Sequence, residues 1–81
     1  MSQNTPHELA QEFPGREADI SALKQHDSHF ARIVTRYHEV NRAIHRAETN
    51  VEPTDDFRMQ ELRKERLHLK DEVAQTLSVF A

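Results

Sequence analysis

The sequence predicts an all-α protein: an antiparallel, coiled-coil-like helical hairpin with a short N-terminal helix, associating into a helical bundle. Three observations carry this expectation. One Gly and three Pro punctuate 81 residues, too few for the many turns that a small β-protein needs. Apolar residues recur at spacings of three and four through two long stretches, the period of a helix face rather than of a strand. Apolar residues at 36% against 31% charged fit helices that keep much of their surface in water.

Along the chain, Thr5, Pro6 and Glu8 form a helix start: a Thr cap, Pro at the first helical position, and Glu three residues after the cap to close a capping box. A short helix to about Phe13 follows, and Pro14 with Gly15 stops it, because Pro lacks an amide donor and disfavours helical geometry before it. Residues 1–15 are therefore read as an arm, and residues 16–81 as the hairpin. From Arg16 to about Asn50 there is no Pro or Gly, and Leu23, Phe30, Tyr37, Ile44 and Val51 recur every seven residues. A second row, His26, Ile33, Val40 and Ala47, falls three residues after each of the first four. Together they predict one long helix over about 16–50 with a seam along its length, interrupted only by His26.

Residues 51–54 then form a short turn, in which Thr54 is expected to cap a second helix over about 55–80, with Asp55 and Asp56 placed where the helix dipole favours negative charge. Its seam runs Met59, Leu62, Arg66, Leu69, Val73, Thr76 and Phe80, and Leu67, Ala74 and Leu77 widen it to the broader apolar face of a bundle helix. Two such helices joined by so short a turn pack antiparallel. At 1.5 Å per residue the first spans roughly 50 Å and the second roughly 40 Å, so residues 16–24, with Ile20 and Leu23, overhang. Either Leu9 and Phe13 of the arm fold back over them or a second chain covers them. A chain of 81 residues without cysteine has little core and no disulfide staple, which favours association. The self-association seam is assigned to Leu23, Phe30, Ile33, Tyr37, Val40, Ile44, Leu62, Leu69, Val73 and Phe80.

His29-Phe30 and the run Leu62-Arg63-Lys64-Glu65-Arg66-Leu67-His68-Leu69-Lys70-Asp71-Glu72 resemble the YdcH-like family of small bacterial proteins. Its members carry a His-Phe pair early in the long helix and a Leu-Lys-Lys-Glu-Lys-Leu-x-Leu-Lys-Asp-Glu run in the last. Arg63 and Arg66 stand in for lysines, keeping the charge and changing the donor geometry. The resemblance covers His26 to Leu77 and leaves the arm outside it. It implies a helical hairpin in a bacterial cytoplasmic setting, and supplies no catalytic residues, since the family's function is unknown.

Neither cysteine, Gly-rich phosphate loop nor nucleophile elbow occurs, so the chain is read as no enzyme and as holding no cofactor. Of six histidines, His26 and His29 share a helical face, but spacing fixes no third ligand among His38, His45 and His68; they are read as surface or seam-edge residues, with no metal site. Helical spacing suggests surface pairs of Glu39 with Arg42 and of Glu61 with Lys64. Arg66 is expected to lay its stem on the core and send its guanidinium to solvent or to a carboxylate, such as Glu39 or one of a second chain.

Charge is uneven. Residues 29–46 and 57–70 each sum to +3 and lie side by side in an antiparallel hairpin, whereas residues 1–28 sum to −3, 47–56 to −4 and 71–81 to −2. Arg32, Arg36, Arg42, Arg46, Arg63, Lys64 and Lys70 are the candidate partner-binding residues. Three partners can meet this basic middle: first the acidic ends of a second copy, giving a homo-oligomer; next an acidic protein; last RNA or DNA, disfavoured because Tyr37 and Phe57 are assigned to the core and leave no aromatics among the cations. No leader-like start and no apolar run of about 18 residues is present, so a cytoplasmic protein without membrane contact is expected. The functional expectation is a non-enzymatic interaction module, a small adaptor or regulator; the alternative is a nucleic-acid-binding accessory protein.

Overall fold

A computed structural model describes residues 7–49 and 55–80. Among these residues the chain forms four helices and no strand: α1 (Leu9–Glu12), α2 (Glu17–His26), α3 (Ser28–Glu48) and α4 (Asp56–Val79). The expected capping box at Thr5 and Pro6, and the turn with Val51 and Thr54, lie outside the described residues. The hairpin of α3 and α4 is present as expected.

The predicted long first helix is two helices. Asp27 takes an extended backbone conformation, and its side chain accepts the Phe30 N–H at 3.1 Å. An aspartate that caps the following turn offers the backbone an alternative to continuing the helix, and apolar periodicity does not register that competition. The break falls where His26 interrupted the seam; His26 ends α2 and is exposed.

The break lets α2 pack against α3 instead of extending beyond it. Its start is tied to the far end of α4, where the Arg16 guanidinium donates to the Leu77 carbonyl at 3.0 Å while its Nε binds Asp19 at 2.6 Å. A cation on the last carbonyls of a helix satisfies orphan acceptors and favours the dipole. With one end at Leu77 and the other running into α3, α2 lies across the open end of the hairpin and buries Ile20 and Leu23. The overhang is thus closed within the chain. Gly15, at φ +80°, makes the left-handed turn between α1 and α2 that other residues resist. It directs α1 back over the hairpin, where Leu9 is buried and Phe13 packs on the core.

One core runs through the molecule, from Leu9, Ile20 and Leu23 through Phe30, Ile33, Val34, Tyr37, Val40 and Ile44 to Leu62, Leu69, Val73 and Leu77. Nine of the ten residues assigned to self-association are buried in it and Phe80 packs against it. Among the described residues that seam is therefore filled by the chain's own helices. Tyr37 joins the core as expected, but Phe57 is 70% exposed and Leu67 61% exposed. Leu67 lies roughly 140° around α4 from Leu62, too far round to reach α3. The cap of α4 is Asp55, which accepts the Arg58 N–H at 2.7 Å; the expected cap was Thr54.

Candidate interaction surface

The residues of the basic middle divide among several sides of the hairpin. Around α4, Glu65 and Lys70 fall on opposite flanks of the Leu62, Leu69 and Val73 seam, because five residues turn a helix by roughly 140°. On the Glu65 flank, Arg36 of α3 donates from Nε and Nη2 to the two carboxylate oxygens at 2.6 and 2.9 Å. This two-pronged pairing holds Glu65 below the usual carboxylate range and raises Arg36.

On the other flank, Arg63 donates to Glu48 at 3.0 Å, and Lys70 pairs with Glu12 of α1. The Lys70 hydrogen bond lowers the pKa of Glu12, more than the opposing effect of its partial burial raises it. Between these pairs stands the exposed Leu67. The flank borders an open groove of about 200 Å³ walled by Tyr37, Arg63, Arg66, Leu67 and Lys70, with Glu12. Arg32, Arg42 and Lys64 are exposed and have no ion-pair partner among the described residues; Arg46 is exposed and engaged with the rest of the chain.

Arg66 departs from expectation. Its Nη1 donates to Oδ1 of the buried Asn41 at 2.9 Å, because Glu39 lies on the outer side of α3 with its side chain 60% exposed, while Asn41 faces α4. The expected helix-surface pairs are replaced too: Glu39 approaches Arg36 at 3.5 Å and Glu61 approaches Arg58 at 3.8 Å, in each case the cation three residues before.

The arm is held by polar contacts that the sequence reading missed. Tyr37 donates its hydroxyl to the His7 carbonyl at 2.5 Å, and His7 takes a positive φ of 65°. Burial pushes the Tyr37 phenol up to about 12, with the charge of Glu12 acting in the same direction. His38 Nδ1 is shut off from water and stands 3.2 Å from Glu8, close enough for an ion pair though not aligned for a hydrogen bond. Among the described residues no three His, Cys, Asp or Glu side chains gather as a metal site, and no described helix is long and apolar enough to cross a membrane.

Glu12, Glu48 and Glu65 thus answer cations of the basic middle from across the fold, on helices other than those of the cations they pair with. The antiparallel register, which brings 65 near 36 and 63 near 48, signals two of them in the sequence; the return of the arm is one of two readings of the overhang, and its pairing with Lys70 has no signal.

A family model described as Protein of unknown function (DUF465) matches residues 30–77, more than half of the chain. The chain belongs to that family. YdcH-like proteins fall within it, in agreement with the resemblance carried by His29-Phe30 and the Leu62–Glu72 run. The matched region is the hairpin of α3 and α4; α1 and α2 precede it. No curated protein and no solved structure matches the chain.

Proposed function

We propose that the protein is a non-enzymatic interaction module, a small adaptor or regulator that presents a charged helical surface to a protein partner. The observation that carries this reading is the set Arg32, Arg42 and Lys64, exposed cations on the hairpin without an ion-pair partner among the described residues. Unpaired cations on a rigid helix steer and orient an acidic partner.

The experiment is site-specific photo-crosslinking from positions 42 and 64 in cells, each repeated with the charge reversal, Lys64→Glu or Arg42→Glu, at the other position. A defined protein trapped from both positions and lost on charge reversal supports the module. The nucleic-acid alternative gains from Phe57, an exposed aromatic on the helix that carries Lys64. Salt-sensitive RNA binding that is lost in the Arg42→Glu, Lys64→Glu double variant would favour that alternative.

A further inference from the structure

We infer that the flank of α4 formed by Arg63, Leu67, Lys70 and Ala74 is a docking site for an amphipathic helix carrying acidic residues at seven-residue spacing. The inference rests on the reading of the protein as an interaction module, and adds the place and the class of partner.

The flank carries a seven-residue repeat. Arg63 and Lys70 are seven residues apart, as are Leu67 and Ala74, and seven residues are close to two helical turns, so the four side chains form one stripe in the order basic, apolar, basic, apolar over roughly 17 Å. Another helix presents its side chains with the same repeat. A helix laid along the stripe can place two carboxylates against Arg63 and Lys70 while apolar residues cover Leu67 and Ala74.

Charge complementarity is visible in the fold itself. Both cations already bind carboxylates of this chain, Glu48 and Glu12, supplied by two separate helices. The Arg63–Glu48 pair is exposed on both sides, and such pairs contribute little and exchange readily with a partner's carboxylates. Neither Glu12 nor Glu48 brings an apolar residue onto Leu67, which stays 61% exposed beside the groove, while Ala74 is half-buried. An acidic amphipathic helix supplies that missing contact. Nucleic acid could neutralise the cations but offers no aliphatic counterpart to Leu67, and Asp71, exposed on the next turn, repels phosphate.

The test uses the full chain, isotopically labelled, and a stapled synthetic helix of about 18 residues, long enough to span the stripe, with Glu and Leu each at seven-residue spacing on one face. The control helix carries Lys in place of Glu. The expected result is saturable binding of the Glu helix alone, weakening between about 50 and about 300 mM salt, with amide shifts centred on Arg63, Leu67, Lys70 and Ala74. Leu67→Ala removes an exposed side chain and leaves the helical content intact, and is expected to weaken binding roughly tenfold; Arg63→Gln weakens it and reduces its salt dependence. No binding of the Glu helix at about 1 mM overturns the inference, as does equal binding of the Lys helix. Shifts confined to Arg32, Arg42 and Lys64 also overturn it, while leaving the module reading intact. A single-stranded RNA oligomer that displaces the Glu helix from this flank overturns the assignment to a protein helix. Crosslinks from positions 42 and 64 report on the module reading separately, so the two can fail independently.

Discussion

Asn41 and Tyr37 show how single polar groups fix this core. Asn41 is 1% exposed and receives the Arg66 guanidinium, so a polar contact joins α3 to α4 at the edge of an otherwise apolar interface. Asn41→Ala strips Arg66 of that acceptor and is expected to cost about 1–3 kcal/mol in urea unfolding; an unchanged midpoint would mean that Arg66 finds water instead. Tyr37 holds the arm through its hydroxyl, and its phenol is raised to about 12. The fold favours the neutral form, so this contribution is fully present below pH 10, the ordinary value, and is lost as pH rises through about 12. Ultraviolet titration of the native chain should accordingly show no phenolate near pH 10, and Tyr37 should ionise only as the arm releases.

Among the elements, the junction of α2 and α3 decides the shape. Every residue from 16 to 50 is compatible with one helix, yet the Asp27 cap on Phe30 divides it. Asp27→Ala removes the cap at a cost of about 1 kcal/mol and substitutes the best helix former. The continuous helix then favoured would run roughly 48 Å, taking Ile20 and Leu23 out of the core. Small-angle scattering should then give a radius of gyration above that of the native fold, 13.4 Å over its Cα atoms, and the variant should self-associate through the uncovered residues. A variant as compact as the native chain would assign the break to the packing of α2 instead of to the cap.

At the scale of the whole molecule, 5584 Å² of accessible surface is only slightly above the roughly 5,000 Å² of a folded monomer of this mass. The apolar seam assigned to self-association is filled by the chain's own helices. Light scattering at micromolar concentration is therefore expected to return the monomer mass of 9.5 kDa; a persistent dimer would place association on a surface other than the filled seam. Acid should loosen the assembly at the arm and along the Arg36 flank. Glu12 and Glu65 are both held below 4.5 by Lys70 and Arg36, so the stability they contribute is present above pH 4.5 and is lost as pH falls toward their lowered values. Glu12→Gln should flatten that acid dependence for hydrogen exchange of α1 and leave it for the centre of α3.

The helical class, the hairpin and nearly all of its core are legible in the order of residues, because burial of one face imposes a repeat of three and four. Leu62, Leu69, Val73 and the Phe30 to Ile44 row were legible for that reason. Tertiary structure alone decided the break at Asp27, the return of the arm and the pairing of Glu12 with Lys70 and of Arg66 with Asn41. A cap competes locally with a helix at about 1 kcal/mol, a difference that periodicity does not register and that packing of α2 across the hairpin settles. Pairing of charges distant in sequence depends on which flank of a helix each occupies once the seam has closed. The same closure left Leu67 outside, between two cations already holding carboxylates.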